Sequence, residues 1–298
     1  MCPSNHEMLR AKGFMSFEIF SSIIDQIADY EKGKEVYINL WGWGEPLLHG
    51  DIFGMVDYAA NKKFRVRLST NFNIDNPDII RKLSGTQLDL LIVGLDGNSE
   101  SVHQDYRVGG DFNLVVDNVS NFKHYVRSDN GNTKMAITTL LTPRLEKNLK
   151  DFIKFASNLD VDVLMLKYPN LWRFKKSKQE IEMLFNRFVK NLKHGSRYKI
   201  VSSGIESVSG RCSFLPINGV FLWNGDITTC CFDFDGDNVF GSINDLNFID
   251  IFSNSWVQSR MKMKNHKYAT CSKCDSSGPR IEVISFSPKV SSFLYGLT

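Results

Sequence analysis

No apolar run in the 298 residues approaches the roughly 20 needed to cross a membrane. No basic stretch leading into an apolar one opens the chain, so nothing reads as a secretory leader and a cytoplasmic location is expected. Charge of one sign is hardly in excess: 36 Lys and Arg against 33 Asp and Glu leave +3, which gives no reason to expect a nucleic-acid partner. There is no internal repeat and no low-complexity tract, so fibrous and disordered classes fall away with the membrane span. The histidines (His6, His49, His103, His124, His194 and His266) show no close paired spacing, and none is taken as a metal ligand. What remains is a globular balance of 42% apolar residues with 21 glycines, in a chain long enough for one large domain or two ordinary ones.

The cysteines are unevenly placed, with Cys2 at one end and Cys212, Cys230, Cys231, Cys271 and Cys274 in the last third. A chain of this length with so few is no disulfide framework, and in a reducing compartment clustered thiols point to metal or redox chemistry. Cys271-Ser-Lys-Cys274 lets two sulfurs turn toward one metal centre, and Cys212 with the Cys230-Cys231 pair supplies a third and fourth ligand. Four thiolates suit tetrahedral zinc or a [4Fe–4S] cluster equally, and spacing alone does not separate them. The alternative is a set of small buried hydrophobes.

Apolar runs predict strands over Val36–Trp41, Phe64–Leu68, Leu88–Leu95, Met135–Leu141 and Val163–Leu166. Between them run helical stripes: Phe20, Ile23, Ile24 and Ile27 behind the N-cap Ser16; Leu149, Phe152, Ile153 and Ala156; and Ile181, Leu184, Phe185, Phe188, Val189 and Leu192. Strand and helix in alternation argue for an α/β fold with a parallel sheet and covering helices. His194-Gly195-Ser196 and Ser202-Ser203-Gly204 read as a linker around a short Tyr198–Val201 strand. Residues 281–298 read as a tail of uninformative chemistry. Lys175–Lys178 is taken as a solvated helix start.

The residues just past the strands differ from the strands. Gly42-Trp43-Gly44-Glu45-Pro46, Ser69-Thr70-Asn71 and Asp96-Gly97 stand at three successive strand ends, which in a β/α barrel meet at one mouth. Glycines there admit a ligand close to the backbone, Glu45 can accept from an ammonium group, and Thr70 with Asn71 can bond ribose hydroxyls. Trp41, Trp43 and Phe72 either shape a pocket or pack as buried aromatics. Asp233 and Asp235 either reach a substrate or make turns.

Together these residues resemble the radical S-adenosylmethionine (SAM) superfamily, in the branch carrying a C-terminal half-SPASM ("twitch") domain. Gly42, Trp43, Gly44 and Glu45 resemble the motif that meets the SAM amino group, and Thr70 and Asn71 its ribose-contacting strand end. Leu95-Asp96-Gly97 with Tyr106-Arg107 and Gly109-Gly110-Asp111-Phe112 is similar to the stretch in which an Arg, here Arg107, approaches the SAM carboxylate. Cys212, then Gly225, Cys230, Cys271 and Cys274 follow the spacing of an auxiliary [4Fe–4S] site, with Cys231 as bystander. The resemblance implies a partial (β/α)6 TIM-like barrel over residues 1–195, a twitch/SPASM domain over 196–280 and a tail over 281–298.

The chain departs from that pattern at one point. The primary [4Fe–4S] cluster of the family sits on a CxxxCxxC loop after the first strand, and Cys2 resembles only its third cysteine. The expectation is therefore a barrel lacking its first strand, in a chain that starts late or has lost the cluster and that as it stands does not hold that cluster. The implied chemistry is reductive cleavage of SAM to a 5′-deoxyadenosyl radical that abstracts hydrogen from a substrate, with the auxiliary cluster assisting electron transfer. Such members oxidise aminocyclitol alcohols or modify peptides, so a carbohydrate-like alcohol and then a peptide are the expected substrates, with flavodoxin or ferredoxin as electron donor. A zinc-stabilised, non-catalytic scaffold using the same four cysteines is the alternative.

Overall fold

The computed structural model describes residues 8–167, 199–202, 219–228, 230–231, 233–245, 247–251, 258 and 281–286, and the structural statements below concern these. Ser16 accepts the Ile19 N–H at 3.2 Å and opens α1 (Phe17–Tyr30), whose Phe20, Ile23, Ile24 and Ile27 fall on one buried side. There follow β1 (Tyr37–Leu40), a single 3-10 turn at Pro46–Leu48, α2 (Ile52–Asn61), β2 (Arg65–Thr70), α3 (Pro77–Ser84), β3 (Leu90–Gly94), α4 (Glu100–Gln104), α5 (Phe112–Ser128), β4 (Lys134–Leu140), α6 (Pro143–Lys147), α7 (Leu149–Asn158) and β5 (Val163–Lys167). The five predicted strands are all present, and both described helical stripes form helices. The stripe from Ile181 to Leu192 and the Lys175–Lys178 charges lie outside the described residues.

Strands β1 to β5 pair in parallel in chain order. The sheet continues through β10 (Ile281–Ser285), antiparallel to β5, and then β6 (Lys199–Ser202). The stretch expected to open a tail is thus a sheet strand. Its Val283 and Ile284 are buried, and its backbone completes a ladder on each side that would otherwise lack partners. Likewise the short strand expected within the linker joins the main sheet as β6.

The two faces of the sheet are covered differently. Helix-side residues Val66, Leu68, Leu91, Val93, Met135, Ile137, Leu164 and Leu166 join one large core with the helices. The opposite face carries a smaller cluster of Leu90, Ile92, Ala136, Val163, Met165 and Val283, with Trp41 against it. All five positions of β3 are buried, as a central strand covered on both faces requires.

The cysteine-bearing segment forms a separate antiparallel sheet of β7 (Val220–Phe221), β8 (Asp226–Thr228) and β9 (Val239–Ser242). It docks on the start of the chain through polar ties. Asp235 accepts the Leu9 and Arg10 N–H groups at 2.7 and 3.2 Å, and Arg10 Nε donates to the Phe234 carbonyl at 2.6 Å. Trp223 Nε1 donates to the Ala11 carbonyl at 3.0 Å, and the Phe248 N–H to Gln26 Oε1 at 2.7 Å. Ile227, Phe248 and Ile251 extend the large core into this lobe.

Candidate active site at the strand ends

The Gly42–Pro46 loop leaves β1 and returns as the 3-10 turn, for which Glu45 is the cap. Its Oε1 accepts the Leu47 N–H at 3.1 Å and the Thr70 hydroxyl at 2.6 Å, while Oε2 accepts the Asn71 N–H at 2.8 Å. Two motifs separated in the sequence are thereby joined at one carboxylate. Glu45 makes no ion pair with a described residue, so the donors orient its charge without neutralising it. A Cβ on Gly42 or Gly44 would meet no atom of a described residue within 4 Å.

Thr70 is buried, and its hydroxyl is committed twice, donating to Glu45 and accepting the Phe72 N–H at 2.9 Å. It serves to hold Glu45. Asn71 accepts the Asn73 N–H through Oδ1 at 2.8 Å, and no described residue takes its amide N–H groups. Phe72 is wholly buried against Phe122, so of the two readings of this aromatic, core packing is the observed one.

Asp96, past β3, organises the next corner. Its Oδ1 accepts the Leu140 N–H at 2.6 Å and the Thr139 hydroxyl at 3.2 Å; its Oδ2 accepts Arg107 Nε at 2.6 Å. A Cβ on Gly94 would overlap the Arg107 guanidinium, so the glycine makes room for it. His103 lies behind this pair, buried, its Nδ1 accepting the Asp96 N–H at 3.3 Å. Burial foremost, and then the Arg107 charge, hold the His103 pKa below the ordinary histidine value.

The Cys230-Cys231 pair follows β8, and the Cys231 carbonyl accepts Trp43 Nε1 at 2.7 Å, while Phe234 meets the Trp43 ring edge-on. The cysteine loop therefore sits on the Gly42–Pro46 loop. Asp233 is buried, and its carboxylate takes the Asp237 and Asn238 N–H groups and the Thr228 hydroxyl, while Asp235 ties down Leu9 and Arg10. Both aspartates are thus engaged in turns and docking. Cys2, Cys212, Cys271 and Cys274 lie outside the described residues, so Cys230 is the one expected cluster ligand that has a described position.

Three polar residues of the inner face escaped the sequence reading. Arg67 is 1% exposed and stacks on Tyr37 with its guanidinium 3.8 Å from the ring centroid; its Nε and Nη2 find no partner among the described residues. Burial brings its pKa down to about 10. Thr138 is buried with its hydroxyl unpartnered among the described residues, and Lys167 ends β5 on the same face. A signal was available for Arg67 alone, in the alternation of Arg65, Arg67 and Ser69 with apolar Val66 and Leu68 along β2.

The model of the radical SAM superfamily matches residues 1–156, over the strands and loops just described. The chain belongs to the radical SAM superfamily. A second family, SPASM, described as an iron-sulfur cluster-binding domain, matches residues 212–275. That match favours an iron–sulfur site over zinc at the C-terminal cysteines. Among curated relatives, mycofactocin maturase MftC of Mycolicibacterium smegmatis is 29% identical over 133 residues, spanning 45% of this chain and 32% of that protein. Among solved structures, anSMEcpe with bound AdoMet superposes with a TM-score of 0.65 at 17% identity, covering 90% of this chain and 79% of that one. Streptococcus suis SuiB, bound to precursor peptide SuiA, does so with 0.61 at 13% identity, covering 84% and 61%. The chain thus spans about a third of the length of that curated relative and shares the fold of both structures.

Family membership makes SAM and iron–sulfur clusters the cofactors. The residues present fit SAM: an oriented carboxylate with no counter-cation among the described residues stands beside bare glycine backbone, as a ligand ammonium requires. No helix among the described residues is long and apolar enough to cross a membrane.

Proposed function

We propose that the chain is the SAM-binding and cluster-bearing part of a radical SAM enzyme that modifies a peptide. The observation that carries this reading is the Glu45 carboxylate, held by Thr70 and Asn71 on the loop of Gly42 and Gly44, where an added Cβ would meet no described atom within 4 Å. When bound, SAM on a reduced [4Fe–4S] cluster supplies a 5′-deoxyadenosyl radical able to remove hydrogen from an unactivated carbon. The protein's part is placement. Glu45 receives the SAM ammonium, the free amide N–H of Asn71 bonds the ribose, and the Arg107 edge not held by Asp96 faces the carboxylate. The inner-face apolar cluster keeps water from the reacting carbon. Cys230, with Cys212, Cys271 and Cys274, would hold the auxiliary cluster, and the Trp43–Cys231 bond ties the loop of Cys230 to the Gly42–Pro46 loop. A flavodoxin or ferredoxin supplies the electron.

The SuiB–SuiA complex and the likeness to a maturase support a peptide ahead of the carbohydrate-like alcohol expected from the sequence. Calorimetric titration of SAM into the anaerobically reconstituted protein tests the reading. Glu45→Gln, which replaces a charge-assisted contact by a neutral one, is expected to weaken SAM binding about tenfold to a hundredfold. Reconstituted protein that binds no SAM would overturn it.

A further inference from the structure

The inner face of the sheet is apolar through Leu90, Ile92, Ala136, Val163 and Met165, and its character changes toward the strand ends. In the β4–β5 register Thr138 stands beside Met165, and Leu140 beside Lys167. Thr138 and Lys167 are therefore two residues apart in level on neighbouring strands, on one face. The Thr138 hydroxyl is buried without a partner among the described residues, a state that natural structures rarely leave unexplained. Lys167 is partly buried and makes no ion pair with a described residue. Nearby Arg107 has Asp96 as its ion-pair partner, whereas Lys167 has no such pair among the described residues.

We infer that Lys167 and Thr138 form a binding site for a carboxylate group of the substrate. One ammonium without an ion pair among the described residues suits a monoanion better than a phosphate dianion, and the hydroxyl beside it offers a second, neutral donor. Resting on the reading that Glu45 takes the SAM ammonium, the inference also says whose carboxylate it is. In that reading Arg107 faces the carboxylate of SAM, which leaves Lys167 for an anion of a second molecule. Burial, followed by the Arg107 charge, lowers the Lys167 pKa while Asp96 raises it, and an anion arriving there favours the charged form.

Competition against amine acylation, read by mass spectrometry on the full chain with SAM present, tests this. The probes are N-acetylated dipeptides with free carboxyl termini and the same dipeptides as C-terminal amides. The carboxylates are expected to slow acylation of Lys167 about tenfold and the amides not at all. Thr138→Val should weaken that protection and Thr138→Ser keep it. Equal protection by both probe sets, protection by neither, or a Lys167 that the reagent never reaches would overturn the inference. SAM affinity of Lys167→Gln is expected within twofold of the parent; a tenfold loss restored by Lys167→Arg would assign the group to SAM's own carboxylate and overturn it too. Failure of the parent chain to bind SAM would instead strike the functional reading, so the two failures are distinguishable.

Discussion

The parallel sheet with its helices and the small cysteine-bearing sheet are held together in different ways. In the first, strand after strand presents alternate residues to a continuous helix-side core, and Phe122, Phe152, Leu83 and Leu91 have no exposure at all. In the second, the strands run two to four residues, and among the described residues attachment combines Ile227, Phe248 and Ile251, which join the large core, with hydrogen bonds to residues 9–11, Gln26 and Trp43. A region that buries enough apolar surface folds on its own pattern. One that does not needs a ligand or a neighbour to order it.

The comparison can be broken most directly in the two cores. Phe122→Ala empties a fully buried site against Phe72 and is expected to cost about 3–5 kcal/mol in urea unfolding. Phe234→Ala should instead speed alkylation of Cys230 and Cys231 while leaving the main urea midpoint in place; equal losses at both sites would make the molecule one cooperative unit. Next comes Asp96→Ala. It leaves Arg107 without its counter-ion and strips the Thr139 hydroxyl and Leu140 N–H of their acceptor, for a loss of about 3 kcal/mol in the same assay. Trp43→Phe sharpens the contrast at the junction. Losing one hydrogen bond to the Cys231 carbonyl is worth about 1 kcal/mol, read as roughly fivefold faster alkylation at the cysteine loop with an unchanged main midpoint.

The smallest effect is acid sensitivity. His103 has a lowered pKa in the folded protein, so below the ordinary value of about 6.5 the unfolded chain binds the extra proton first. Stability contributed by keeping this ring neutral is present above that value and declines as pH falls toward the folded pKa. The described part of the cysteine-bearing sheet contains no histidine. The decline should therefore appear in the unfolding of the main sheet, with His103→Gln making its pH profile flatter.

Much of this arrangement was legible beforehand because it is local. Helix α1 follows from Ser16 and a three-and-four spacing of Phe20, Ile23, Ile24 and Ile27, and each central strand from its apolar run; no distant residue is needed to justify them. The motif residues Glu45, Thr70 and Asn71 were equally visible. Their bonding to one another was not, because nothing in a linear chain ranks one pair of strand ends above another. Nor was the division of labour by which Thr70 holds Glu45 and leaves Asn71 open.

The strand at Ile281–Ser285 shows the same limit from the other side. Its sequence permits a strand, but the reason it becomes one is the pair of open edges on β5 and β6, brought near by the rest of the fold. The sequence by itself determined the alternation of strands and helices, the cofactor motifs and the cysteine spacing, since these rest on side-chain type and separation along the chain. Tertiary structure alone decided which charges are neutralised and which are left over, Asp96 going to Arg107 while Lys167 has no such partner among the described residues. Electrostatic pairing depends on distance through space and on the water excluded between groups, and neither is written in the order of the residues.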